Sequence, residues 1–140
     1  MTGCSIHKLV ADVMVLAQGR VLMVRYRDVS KYDGQRGWFL PDDNLAMGEH
    51  PGEAAKRILR EQAGTQFDAP QLSFIESFGG EDGEAWHLIF HYKVQLPQAS
   101  EVSSSGNVAE ARWFSLEGLP PRDEVAHHGW ALDVIAKVVA

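Results

Sequence analysis

From Lys8 to Ala17 apolar residues occupy both parities of an extended segment, with Leu9, Ala11, Val13, Val15 and Ala17 on one side and Val10, Met14 and Leu16 beside Asp12 on the other. A strand covered on both faces has this pattern. Gln18-Gly19-Arg20 reads as a turn and Val21 to Tyr26 as a second apolar run, so Lys8 to Tyr26 is predicted to form a hairpin. A polar loop, Arg27 to Arg36, leads to the short segment Trp38-Phe39-Leu40, which Pro41 stops. Pro51 suits a first helical turn, and Gly52 to Ala63 reads as one helix ended by Gly64. Leu72 to Phe78 and Ala85 to Leu96 are predicted strands joined by the acidic turn Gly79 to Glu84, a second hairpin. Ala99 to Asn107 is a Ser-rich loop, Ala109 to Phe114 a short strand, and Leu119-Pro120-Pro121 a break before a final helix, Asp123 to Val139. This order of elements predicts an α+β fold or a three-layer sandwich.

Composition narrows the function classes. A chain of 140 residues closes one core and leaves no room for two, so residues 1–140 read as a single domain. The net charge of −6 excludes a general duplex nucleic acid partner, which needs a basic face, and leaves free nucleotides carried with a metal ion. Cys4 is the only cysteine, so no intrachain disulfide and no Cys-based zinc site form, and a reducing compartment fits. The apolar stretch Leu9 to Ala17 is interrupted by Asp12 and is too short to span a bilayer, and no cleavable leader pattern precedes it. The expectation is a soluble, cytoplasmic protein with no membrane partner.

On a helical wheel of about 100° per residue, Glu53, Arg57 and Glu61 share one side of the central helix. Ala54, Ala55, Ile58, Leu59 and Ala63 occupy the other, and Gln62 falls within that apolar arc. Read without further context, this is an amphipathic helix whose arginine sits between two carboxylates at salt-bridge spacing.

The stretch from Leu40 to Gly64, LPDDNLAMGEHPGEAAKRILREQAG, resembles the Nudix box. That pattern runs Gly, five residues, Glu, seven residues, Arg-Glu, an aliphatic, any residue, Glu-Glu, any residue, Gly, an aliphatic. Glu49, Arg57, Leu59, Glu61 and Gly64 stand at its positions, and Trp38 to Pro41, Glu110 to Leu116 and Leu119-Pro120 are similar to the family's flanking segments. The resemblance covers nearly the whole chain. It implies an α/β/α sandwich with a mixed central sheet, and hydrolysis of a diphosphate bond in a nucleoside diphosphate-linked substrate. It also implies Mg2+ or Mn2+, which bridges the diphosphate while water attacks phosphorus. Glu61 and Glu49 are the implied acids and metal ligands with Asp43, and Arg57 holds them. A homodimer is compatible with the family.

The departures bear on chemistry. Asp43 replaces the first Gly of the pattern, Ile58 the Glu after Arg57, Gln62 the second Glu of the pair, and Thr65 the last aliphatic. Ile58 neither binds metal nor accepts a proton, and Gln62 offers a neutral amide oxygen where a hard cation prefers a carboxylate. Asp42 and Asp43 stand where the family resembles a Gly-Gly turn facing the metal, and either is a replacement ligand or a solvated turn. Glu81, Asp82, Glu84 and, on the late loop, Asn107 and Glu110 are the other polar candidates.

For a ligand pocket the resemblance points to the early strands, the approach to the box and a later strand, hence to Arg27, Trp38, Phe39, Trp86 and His87, with Tyr26 and Arg25 nearby. Aromatic stacking on a base and plain core packing are equally open to Trp38 and Phe39. His87 and His91 share a strand face but lie about 13 Å apart, too far for one metal ion, and read as pocket or core histidines. His127 and His128 read as surface residues. No nucleophile-elbow pattern supports serine chemistry. Two functions follow: a metal-dependent hydrolase with altered metal dependence, or a Nudix-fold module that binds a nucleotide-like small molecule without cleaving it.

Overall fold

The computed structural model describes residues 6–66, 69–79, 85–103 and 106–139. Strand β1 (Ile6–Ala17) turns through Gln18 and Gly19, both at positive φ, into β2 (Arg20–Tyr26). That two-residue turn twists with the strands, so Ala17 faces Arg20 and the predicted hairpin forms. Three further elements follow in order: β3 (Asp42–Asn44), helix α1 (Pro51–Ala63) and β4 (Gln71–Gly79). The remaining ones are β5 (Ala85–Gln95), β6 (Val108–Ser115) and helix α2 (Ala126–Val139). The predicted turn between β4 and β5 lies outside the described residues from Gly80 to Glu84, and so do the candidates Glu81, Asp82 and Glu84.

The sheet runs β4-β5-β1-β2-β6. β1 and β5 are parallel and the other pairs antiparallel, so the sheet is mixed. β1 shares one edge between two partners: its end pairs with β2 at Leu16 and Ala17, and its middle pairs with β3 from Val10 to Asp12. Residues 38–44 fill the opening between the splayed strands. Phe39 exchanges backbone hydrogen bonds with Val24, and the Pro41 carbonyl accepts from Val13.

Helix α1 covers one face. His50 caps it by accepting from the Gly52 N–H, Pro51 opens it, and Gly64 closes it in the left-handed conformation, where a Cβ would meet Ser103 at 2.9 Å. Ala54, Ala55, Ile58, Leu59 and Ala63 pack on Ala11, Val13 and Val15 of β1. Met14, Leu16, Val21 and Met23 face the opposite layer, against Trp38, Leu40 and Ala131, Val134 and Ile135 of α2. The result is the expected three-layer sandwich. Among the described residues no helix is long and apolar enough to cross a membrane.

The last helix departs from its expected start at Asp123. Residues Arg122–Glu124 form a single 3-10 turn, and Val125 is extended because it bridges to Trp38. The Trp38 N–H donates to the Glu124 carbonyl and the Trp38 carbonyl accepts from the Ala126 N–H. His127, His128 and Gly129 then turn left-handed before the regular helix begins. For two histidines that conformation costs on the order of 1 kcal/mol each. The Arg122 guanidinium fastens the turn, reaching the His128 carbonyl and Asp133.

Asp12, the break in the apolar pattern of β1, is 1% exposed. Register places it beside His91 of β5, whose Nδ1 lies 2.7 Å from Asp12 Oδ1 and whose Nε2 lies 2.7 Å from Glu76 Oε1. Both ring nitrogens thus face carboxylates, which suits an imidazolium donating twice. Burial opposes that charge, but Asp12 and Glu76 more than offset it and raise the His91 pKa above its ordinary 6.5. The folded chain therefore holds a proton that the unfolded chain releases. This stabilisation is complete below pH 6.5 and is lost as pH rises through the raised value. Urea midpoints are expected to fall across that window, and His91→Gln to flatten the decline. Asp12→Ala is expected to cost about 3 kcal/mol in the same measurement, since it removes the buried one of the two carboxylates that meet the imidazolium.

Candidate functional site

Arg57 projects from the solvent side of α1 toward the loop that follows β3. Its Nε and Nη2 form a fork on Glu49 at 2.9 and 3.0 Å. Nη1 reaches Asp43 at 3.0 Å and Glu61 at 3.1 Å, and Nη2 also reaches the Asn44 carbonyl at 3.0 Å. The implied acids Glu49, Asp43 and Glu61 thus surround one cation. Lys31 adds a second, 2.8 Å from Asp43. Both oxygens of Glu49 and both of Asp43 are engaged, since Glu49 also accepts from the Ala46 N–H and Asp43 from the Asn44 N–H. Hydrogen bonds from Arg57 lower the Glu49 pKa. Partial burial pushes Asp43 up, but Lys31 and Arg57 outweigh it and the net shift is downward. Glu49 is the first cause of the raised Arg57 pKa.

The other two departures of the box lie inward. Ile58 is fully buried in the α1 core. Gln62 is buried as well: its Nε2 donates to the Asp42 carbonyl at 2.8 Å, and its Oε1 accepts from the Tyr26 hydroxyl at 2.8 Å. Among the described residues no three His, Cys, Asp or Glu side chains converge to hold a metal ion. The donor set therefore does not fit a divalent cation: the available carboxylates point at Arg57 and Lys31, and the two remaining motif positions carry a hydrocarbon and a bonded amide. On the late loop, Asn107 spends its amide on the backbone of Asp28, and Glu110 pairs with Arg25 and Arg112.

On the α2 face of the sheet, beside this network, lies a pocket of about 580 Å³. Strand register builds its floor in rows. Phe78, His87 and Lys8 stand side by side across β4, β5 and β1, and Ile89, Val10 and Asn44 form the next row. The third row holds His91, Asp12 and Asp42, of which Asp42 lines the pocket. Tyr32, Gln35 and Phe39 wall one side, and His127 and Trp130, carried by the start of α2, wall another. His127 is half-buried and meets Phe39 edge-on at 5.9 Å, which corrects the expectation of a surface residue; the left-handed turn aims it inward. His128 is exposed.

The other sequence candidates divide. Phe39 and His87 line the pocket, and His87 stacks on Phe78 at 4.9 Å. Trp86, next to His87 on the strand, points to the opposite face, where its Nε1 donates to Ser77. Trp38 is packed in the α2 core, edge-on to Phe114 with Arg25 over its ring. Arg27 donates to the carbonyls of Gly106 and Val108 and ties down that loop. Lys8, Lys31, Asp42 and Trp130 lie at the pocket without having been singled out as ligand contacts. Of these, Asp42 carried a signal as a departure from the box, whereas nothing in the sequence marked Lys8, Lys31 or Trp130.

Residues 7–133 match the family model of the NUDIX domain, and the chain belongs to that family. No curated protein sequence matches it. Three solved structures show the same fold. A MutT NUDIX hydrolase from Burkholderia pseudomallei is 16% identical, with a TM-score of 0.76 over 96% of this chain and 98% of that one. The NUDIX domain of Shewanella oneidensis NrtR, complexed with ADP ribose, is 13% identical with a TM-score of 0.72 over 99% and 91%. A bifunctional NMN adenylyltransferase/ADP ribose pyrophosphatase from Francisella tularensis, complexed with AMP and a Mn ion, is 17% identical with a TM-score of 0.69; the match covers 97% of this chain and 42% of that one.

The buried places of Ile58 and Gln62 make the box hard to restore. Gln62→Glu replaces the donor to the Asp42 carbonyl with an acceptor and is expected to cost about 1–3 kcal/mol. Ile58→Val is expected to cost about 0.5–1.5 kcal/mol, and Ile58→Glu more than either. Chemical denaturation of the three variants checks the order; an Ile58→Glu protein as stable as the wild type would show that this side chain swings out to solvent.

Proposed function

We propose that this NUDIX domain binds a nucleoside diphosphate-linked small molecule in the pocket between the sheet and the start of α2, and holds it without a divalent cation. The observation that carries the reading is the engagement of Glu49, Asp43 and Glu61 by Arg57 and Lys31 beside an open, aromatic-walled pocket. Aromatic rings on the walls suit a base, and Lys8 and Lys31 at the rim suit phosphates by charge. Each lysine rests against a carboxylate, Asp33 and Asp43 respectively, and a ligand phosphate competes for it. A NUDIX domain of the same fold holds ADP ribose, a molecule with these parts.

Diphosphate hydrolysis is the second reading, and family membership favours it, since Nudix proteins are generally pyrophosphohydrolases. It requires Glu61 and Glu49 to leave Arg57 for a metal ion.

Calorimetry with ADP ribose separates the two. The binding reading expects equal affinity in EDTA and in excess magnesium, and no released AMP. Lys31→Ala is expected to weaken binding about tenfold or more, the value of one charge-assisted hydrogen bond. Affinity that needs magnesium, or turnover that Glu61→Gln abolishes, would overturn it in favour of the hydrolase.

A further inference from the structure

Asp33 closes the 3-10 turn Ser30–Tyr32 in the left-handed conformation, which an aspartate adopts more readily than most side chains. Tyr32 anchors that turn: it is buried, stacks on Tyr26 at 3.9 Å and donates to the Asp42 carbonyl at 3.3 Å. The Asp33 carboxylate is thereby held at the pocket, where one oxygen accepts from Lys8 Nζ and the other stands 3.6 Å from His127 Nε2.

Separate parts of the chain meet at this carboxylate. Lys8 lies in the first row of the floor, beside His87 of β5. His127 comes from the opposite wall, and its backbone N–H donates to Gln35 Oε1 at 3.0 Å. Burial lowers the His127 pKa, Asp33 opposes that, and Lys8, His128 and His87 add to it, so N–H-bearing groups crowd around a single acid.

His87 is the member that the fold does not account for. Its ring lies flat on Phe78, 7° from parallel at 4.9 Å, and neither ring nitrogen bonds to a described residue, although Nδ1 is buried. A buried polar atom left unpaired costs stability, and in a pocket lining it marks a place for a ligand atom. An imidazole offers at least one N–H whether neutral or charged, so this histidine and His127 serve as donors in either state. One ammonium and two imidazoles suit a phosphate, and the carboxylate lodged against two of them is itself an anion in that place.

We propose that Lys8, His87 and His127 form a subsite for a phosphate monoester, that Asp33 holds its place until the ligand displaces it, and that the monoester is a third phosphate on the nucleoside diphosphate-linked ligand. This rests on the reading that the pocket takes such a ligand. Lys8 stands three residues before Ala11, the β1 partner of Asp43, which is about 10 Å along the strand. A diphosphate seated against Lys31 therefore leaves Lys8 to another anion. A tethered carboxylate competes at high effective concentration, so a dianionic monoester displaces it more readily than a singly charged group does. The third phosphate stands either on the nucleoside's ribose or on the group beyond the diphosphate, and affinity tells the two apart.

Calorimetry with ADP ribose, ADP ribose 2′-phosphate, ADP ribose 1″-phosphate and ribose 5-phosphate tests the assignment. On the wild type, one of the two phosphorylated forms is expected to bind about tenfold or more tightly than ADP ribose, and which one does so identifies the source of the third phosphate. That comparison is between ligands on one protein, so the folding of variants does not enter it. Asp33→Asn keeps a residue suited to the left-handed turn and is expected to widen the preference about threefold. His87→Phe keeps a ring on Phe78 without nitrogens and is expected to narrow it by about threefold or more. Lys8→Met is expected to abolish the preference, and adding Asp33→Asn to Lys8→Met to change nothing, because the carboxylate acts through the lysine. ADP ribose bound as tightly as both phosphorylated forms overturns the subsite and leaves the diphosphate reading standing. A preference unmoved by Asp33→Asn or by His87→Phe, or an equal gain from Asp33→Asn with and without Lys8, overturns the assignment as well. Ribose 5-phosphate bound as tightly as the phosphorylated ADP riboses, and lost in Lys8→Met, upholds the subsite and removes the diphosphate reading. No binding by any of the four ligands removes both.

Discussion

One guanidinium organises the loop that gives this domain its character. Arg57 has five N–H donors, and all five are used: two on Glu49, one each on Asp43 and Glu61, and one on the Asn44 carbonyl. The cation thereby joins α1 to the end of β3 and to the turn before the helix. Because the planar fork has a fixed geometry, Glu49 and Asp43 are held in place as well as neutralised. Their carboxylates face inward to the arginine.

That opening depends on how β1 divides its edge. Pairing with β2 at one end and with β3 in the middle forces residues 38–44 between the strands. Neighbouring residues on that segment then serve different layers. Asp43 joins Arg57 on the α1 side, while Asp42 faces the pocket on the α2 side. Trp38 enters the core under α2, while Phe39 reaches the pocket wall. The Trp38 bridge to Val125 sets where α2 can begin, and the left-handed turn that follows carries His127 and Trp130 over the pocket. The inserted segment thus supplies one edge of the pocket floor, through Asp42 and Asn44, and sets the start of the helix that roofs it.

The hairpin of β1 and β2, the central helix with its caps and the three-layer arrangement were legible in the pattern of apolar positions, because local turns and amphipathic faces determine them. The box was legible too, since the spacing of Glu49, Arg57 and Glu61 survives its substitutions. What was not legible is long-range. Asp12 read as an interruption, because its partner His91 is 79 residues away and meets it only through the parallel register of β1 and β5. The start of α2 is not legible because a single bridge to Trp38 outweighs the helical pattern from Asp123 onward. The ligand candidates Trp86 and His87 separate by strand parity, which the sequence gives, but which parity faces the pocket is decided by the layer that packs on it. Gln62 was visible as an odd residue in an apolar arc, and only the fold supplies Tyr26 and the Asp42 carbonyl as its partners.

Charge balance explains why these substitutions belong together. Asp12, Asp42, Asp43, Glu49 and Glu61 already gather acids around the start of the box, and Arg57, Lys31 and His91 are the cations that meet all of these but Asp42. A glutamate at 58 would put a carboxylate among the apolar side chains of α1 and β1, and one at 62 would set another against the Asp42 carbonyl. Without a bound metal such a cluster repels itself in a medium that screens poorly. Ile58 converts one position into apolar contact and Gln62 converts the other into a hydrogen bond in each direction. The domain thereby closes its core at position 58 and holds the Asp42 backbone through the side chain at position 62.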